Sequence, residues 1–187
     1  MEEATSTVVQ EVRSPGQTFW EAGSSVSRPL QVIEGVGAIR SGGIAVGLVG
    51  PGQIAFPVPG VPLAERAAAD FVAITEVVAR EIDPTSAAIT IDVLVESVQA
   101  LIESAHNLGN SSLPQRLASV LLQITEMTGQ PVVNCRQDIL AMAAAARRES
   151  VATILSKWRE EEWIVTRYRR TRILDRDQLT AIRDGYG

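Results

Sequence analysis

Between Arg147 and Leu174 the apolar residues change period from 3.6 to 2 within one short segment, and few folds accept that switch. Val151, Ile154, Leu155 and Trp158 fall on one face of a helix, which must be buried. Trp163-Ile164-Val165-Thr166-Arg167-Tyr168 then alternates like a strand, Arg169-Arg170 fits a tight turn, and Thr171-Arg172-Ile173-Leu174 reads as the return strand. Before the helix, Gln137–Met142 reads as a shorter helix and Ala143–Ala146 as a turn. After the hairpin, Asp175 is placed to cap a last helix through Ile182. Ser111-Ser112-Leu113-Pro114 opens a further helix, with apolar Leu117, Val120, Leu121 and Ile124, that stops near Thr128-Gly129. Together these elements predict a winged helix-turn-helix over 111–187.

The open face of the second helix displays chemistry suited to a nucleic acid. Arg148, Glu149 and Thr153 lie on it, with Arg147 and Ser150 at its N-terminal rim and Lys157 further along. An arginine can give two parallel hydrogen bonds to guanine, a glutamate can accept from the cytosine amino group, and Ser, Thr and Lys hold phosphates. Arg167, Arg169, Arg170 and Arg172 cluster on the hairpin, where cations would displace counterions from a phosphate backbone. Arg and Glu at a helix start are, equally, common solvated residues.

Charge is divided along the chain. Residues 1–110 carry 5 Lys+Arg against 13 Asp+Glu, whereas residues 111–187 carry 12 against 9, so a net charge of −5 conceals a basic C-terminal part. Such asymmetry hints at a polyanionic partner on one side. One cysteine, Cys135, and one histidine, His106, cannot form an intramolecular disulfide, a His/Cys zinc site or an iron–sulfur cluster within one chain. Neither a membrane-spanning run nor a signal-peptide pattern is visible, so the expected location is cytoplasmic. No nucleophile with a nearby base, metal cluster or phosphate loop of adequate spacing is present, so no enzyme activity, catalytic residue or cofactor is expected.

The first part reads differently. After a polar leader at 1–14, short apolar segments (Thr18–Trp20, Leu30–Ile33, Gly37–Ile39, Ile44–Val49) are separated by Gly/Pro turns, as in an all-β barrel or roll. Phe56–Pro62 reads as a stiff extended loop. Asp83-Pro84-Thr85-Ser86 reads as a helix start, with Asp83 or Thr85 as cap. Ile91, Leu94, Val98, Leu101, Ala105 and Leu108 then recur at alternating spacings of three and four. That narrow seam either pairs two helices of a dimer or packs on the chain's own roll. The division expected is a β-roll over 1–84, a long helix and hinge over 85–110, and the winged helix-turn-helix over 111–187, an α+β chain.

On these residues the sequence resembles the Crp/Fnr family of bacterial transcription regulators. The resemblance rests on Gln137-Asp138-Ile139-Leu140-Ala141, Arg147-Arg148-Glu149-Ser150-Val151, Ile154-Leu155 and Trp158–Ile164, and more loosely on Gly23, Ile33-Glu34-Gly35-Val36 and Gly50-Pro51-Gly52. It implies a cyclic-nucleotide-binding-like jelly roll, base reading by Arg148 and Glu149 with Thr153 joining them, and a homodimer on a near-palindromic double-stranded operator. RNA polymerase is a further partner by resemblance only. Two departures matter. Ala143–Ala146 stands where the family has a glycine. In the effector site Gly52-Gln53 replaces Gly-Glu, and Arg66 is followed by Ala67, which argues against cyclic AMP. A sensing module with a degenerate DNA-binding part is the alternative.

Overall fold

The computed structural model describes residues 10–25, 28–58, 61 and 65–186, without the side chains of Glu103 and Ala105. Most of the leader, Pro59, Gly60 and Pro62 of the stiff loop, and the Ala105 side chain of the expected seam lie outside the described residues.

Eight short strands form the first part: β1 (Gln10–Arg13), β2 (Thr18–Trp20), β3 (Leu30–Glu34), β4 (Gly37–Ser41), β5 (Ile44–Val49), β6 (Ile54–Ala55), β7 (Asp70–Ala73) and β8 (Val77–Glu81). They make two four-stranded antiparallel sheets, ordered β1-β8-β3-β6 and β2-β7-β4-β5. Consecutive strands repeatedly cross between the sheets, as in a jelly roll. The apolar filling between them includes Trp20, Val32, Ile39, Phe71 and Val77. Phe71 stacks on Phe19 with ring centroids 5.0 Å apart, and the Trp20 Nε1–H donates to the Ala69 carbonyl at 3.1 Å. Gly35, at φ +79°, turns the chain so close to β8 that a Cβ would lie 1.8 Å from the Glu76 oxygen.

Helix α1 (Ile91–Asn110) follows, six residues later than the sequence pattern suggests. The Asp83 carboxylate does cap a chain turn, accepting from the Thr85 N–H at 2.8 Å and its hydroxyl at 2.6 Å, but this is a local turn and not a helix start. Thr90 is the N-cap, accepting from the Val93 N–H. The expected seam is divided by the packing. Leu94 packs beside Ile54, Phe56 and Ile82, and Leu101 faces Gly47 of β5. A second stripe, Ile91, Val95, Val98 and Ile102, points to solvent, with Ile91 79%, Val95 47% and Ile102 64% exposed. One helix thus carries two apolar edges, one packed on the roll and one open to solvent.

The last part is α2 (Leu113–Thr128), β9 (Val132–Val133), α3 (Gln137–Ala143), α4 (Arg148–Glu160), β10 (Ile164–Arg167), β11 (Arg170–Ile173) and α5 (Arg176–Arg183). Caps follow the sequence signals. The Ser112 N–H donates to Gln115 Oε1 at 2.7 Å, Gly129 closes α2 at φ +65°, and Asp175 accepts from the Gln178 N–H at 2.9 Å. Strand β9, which pairs with β11, was not legible in the sequence.

The two parts share a core. Val36, Ala38, Ala45 and Ile74 on the outer side of one sheet join Leu117, Leu121, Ile139 and Leu140 in a single buried cluster that runs on to Val151, Leu155 and Trp158. Contact is so close at Gly50 that a Cβ there would lie 2.9 Å from the Met127 Cβ. Such continuity predicts one unfolding transition. With fluorotryptophan incorporated, the Trp20 and Trp158 resonances should vanish at the same urea concentration. Leu121→Ala should lower stability by about 2–5 kcal/mol at both reporters together.

Candidate nucleic-acid interface

Burial of Val151, Leu155 and Trp158 turns the other side of α4 outward. Arg147 is its N-cap residue and Arg148 its first helical residue; Arg147, Arg148, Glu149, Ser150, Thr153 and Lys157 are all exposed. The Thr153 hydroxyl donates back to the Glu149 carbonyl at 3.0 Å, which leaves its oxygen free to accept. A helix start with outward N–H groups adds a positive dipole end to these cations.

The hairpin lies beside this helix. Ile164 pairs with Ile173 and Arg167 with Arg170, so Ile164, Thr171 and Ile173 are buried while Val165, Arg167, Arg170 and Arg172 face outward. That register places the turn at Tyr168-Arg169, one residue earlier than expected. Arg169 has φ +55°, and its guanidinium carbon lies 4.9 Å from the centroid of the Tyr168 ring. Between the hairpin, the start of α3 and Arg148 runs a groove of about 460 Å³ lined by Arg136, Arg148, Arg167, Arg169 and Arg170 with one carboxylate, Asp138. Arg136 belongs to this groove and was missed in the sequence. It holds Asp138 with two hydrogen bonds, at 3.0 and 2.7 Å.

Five arginines of the described residues are in ion pairs. Arg13, Arg40, Arg136, Arg176 and Arg183 each hold a carboxylate. Among the described residues, no ion pair involves Arg147, Arg148, Lys157, Arg159, Arg167, Arg169, Arg170 or Arg172, and all eight are exposed. Unpaired cations massed on one face repel each other in the absence of an anion.

The turn between α3 and α4 explains how alanines replace glycine. Helix α3 ends at Ala144, Ala145 adopts φ +49°, the Ala146 N–H donates to the Ala141 carbonyl at 2.8 Å, and the Ala145 N–H donates to Met142 at 3.2 Å. This is a Schellman ending with alanine in the left-handed position. Cys135, just upstream, is buried; burial and then the nearby Asp138 charge push its thiol up to about 12. A thiol held protonated is a packing residue and not a nucleophile.

The effector-type residues do not converge. Gly52, at φ +83°, and Gln53, whose Oε1 accepts from the Gly50 N–H at 2.7 Å, build the β5–β6 turn. Both line a cleft of about 190 Å³ between this sheet and α1, together with Ile39, Phe56, Val93 and Leu101. Arg66 lies outside that lining; its side chain is exposed and donates to the Gly23 carbonyl at 2.9 Å. Glu96 is the one charged residue in the cleft among the described residues.

Residues 115–182 match the Crp-like helix-turn-helix domain. No curated protein matches the sequence. The whole chain is similar in fold to solved structures: a CRP/FNR-family transcriptional regulator from Thermus thermophilus (21% identity, TM-score 0.73, covering 96% of this chain and 100% of that one), a second CRP-family regulator from the same organism (22%, 0.71, 94% and 97%), and FixK2 from Bradyrhizobium japonicum (15%, 0.70, 94% and 97%).

A non-glycine residue in the left-handed region costs about 1 kcal/mol. Ala145→Gly should therefore raise the unfolding free energy by about that amount, read as a higher urea midpoint at unchanged slope.

Proposed function

We propose, on the premise that residues 115–182 are a Crp-like helix-turn-helix domain in a chain with the Crp/Fnr regulator fold, that this protein is a homodimeric, sequence-specific DNA-binding transcription regulator. The observation that carries the reading is the set of eight cations without an ion pair, among the described residues, spread over the recognition helix α4 and the hairpin wing. Arg148 and Glu149 are the base readers, with Thr153 beside them. Arg147, Ser150, Lys157, Arg167, Arg169, Arg170 and Arg172 contact phosphates and fix the register of the helix in the major groove.

Dimerisation uses the outward stripe of α1. Ile91, Val95, Val98 and Ile102 are the apolar edge left open to a second copy, whereas Leu94, Leu101 and Leu108 turn toward the chain's own roll. Two recognition helices related by that axis would enter successive major grooves of a near-palindromic site about 34 Å apart. Regulation through RNA polymerase follows from the same reading.

Cyclic AMP is not the effector in this proposal. A cyclic phosphate needs a cation, yet the cleft between roll and α1 presents Glu96 as its charged group and Arg66 lies elsewhere.

Selection of bound sequences from a random duplex pool tests the reading. A symmetric motif should emerge, and Arg148→Ala should lower affinity for it by about 1–3 kcal/mol while relaxing preference at one base pair. Arg170→Ala should instead weaken all duplexes alike and reduce the salt slope by about 1. Recovery of no motif, with Arg148→Ala equal to the wild type, would overturn it. Val98→Asp with Ile102→Asp should halve the sedimenting mass; an unchanged mass would place the dimer contact elsewhere.

A further inference from the structure

Arg116 stands in the first turn of α2, where the helix dipole disfavours a cation. Its guanidinium resolves the contradiction by reaching two other helix ends. Nη1 donates to the Ser111 carbonyl at 2.6 Å, Nε donates to the Ala144 carbonyl at 3.0 Å, and Nη2 donates to the Ala145 carbonyl at 3.5 Å. Ser111 is the C-cap of α1, and Ala144 is the C-cap of α3. Neither α1 nor α3 has a basic residue in its own last turn. Helix C-termini present unsatisfied carbonyls and a partial negative charge. One side chain therefore neutralises both ends, and in doing so joins the hinge after the long helix to the turn before α4.

We infer that Arg116 is a positioning residue: it sets the orientation of the recognition helix relative to the long helix by fastening the helix-turn-helix turn to the hinge. Three bonds from a planar, rigid fork fix an angle as well as a distance, which a single flexible ammonium cannot do. The strained Ala145 is held at the same point, so the backbone that directs Arg147 and Arg148 outward depends on this contact. Half-buried Arg116 also lines a cleft of about 240 Å³ where β5, α1, α2 and the end of α3 meet, which leaves room for the parts to shift when the fork is absent.

The inference rests on the DNA-binding reading for its consequence, and the test separates the two. Full-length wild type, Arg116→Lys, Arg116→Ala and Arg116→Ala combined with Ala145→Gly are compared. Spin labels are placed at Gln99→Cys on α1 and Glu160→Cys on α4, both exposed, and labelled chains are diluted with unlabelled ones so that pairs within a chain dominate. Buried Cys135 stays unlabelled in the folded protein. Three quantities are read: melting temperature, affinity for the motif selected by the wild type, and the distribution of label distances.

Glycine at 145 removes the strain without restoring the bridge. The double variant should therefore recover part of the melting temperature lost in Arg116→Ala, yet bind the motif at least tenfold more weakly than wild type and show a broadened distance distribution. Arg116→Lys, which keeps the charge, should melt near wild type and lose at least about fivefold in affinity; it decides the matter if the alanine variants do not fold. Wild-type affinity and a narrow distribution in the double variant, or in Arg116→Lys if that alone folds, would overturn the inference by reducing Arg116 to a support for Ala145. If the wild type selects no motif, the DNA-binding reading fails, and the label distances still decide whether Arg116 fixes the orientation.

Discussion

Everything in the molecule hangs on the apolar contact between one outer sheet face and the helices that follow it. Val36, Ala38, Ala45 and Ile74 are small or medium side chains on strands and turns already buried from the other side. Small residues there let α2 and α3 approach the sheet, and the absence of a side chain at Gly50 lets Met127 close on the backbone. Because this contact merges with the packing beneath α4, the recognition helix is referenced to the roll through buried residues and not through a linker. A rigid reference of this kind is needed if two such helices are to meet two major grooves in register.

Electrostatics then divides the surface by what it leaves unsatisfied. Some arginines elsewhere are matched by a carboxylate, as Arg40 is to Asp70 across neighbouring strands and Arg176 is to Glu126 across helices. An exposed pair such as Arg176–Glu126 adds little stability. The meaning of these pairs lies in contrast with α4 and the wing, where, among the described residues, cations gather outside any ion pair. The acidic balance of the first 110 residues makes that concentration sharper than the net charge of −5 suggests.

The C-terminal part was legible because its signals are local. A four-residue apolar face gives α4, alternation gives the wing, and Asp175 and Gly129 mark helix ends by side-chain and backbone chemistry alone. Strand β7 with its continuation, Phe71-Val72-Ala73-Ile74, is buried on both faces and shows no alternation to read. The start of α1 was misplaced because Asp83 caps a turn with the same chemistry that caps a helix. The seam of α1 was visible as a spacing, but spacing cannot say which residues pack on the roll and which stay exposed, and Val95 and Ile102 went unread. Arg116 was illegible for another reason: its partners lie at 144 and 145, with no pattern connecting them in sequence. The effector residues are a mixed case. Gly52 and Gln53 do line a cleft, while Arg66 does not share it.

The two apolar edges of α1 limit how that helix can move. Counting about 100° per residue, the stripe through Leu94 and Leu101 and the stripe through Ile91, Val95, Val98 and Ile102 lie roughly a quarter-turn apart on one cylinder. In the proposed dimer, rolling the helix about its axis to improve either contact would lift the other from its seat. Sliding or tilting along the axis keeps both engaged. A disturbance of the roll would then reach Asn110 as a displacement and not as a twist, so the proposed dimer would make the helix a push-rod whose far end is the hinge before α2.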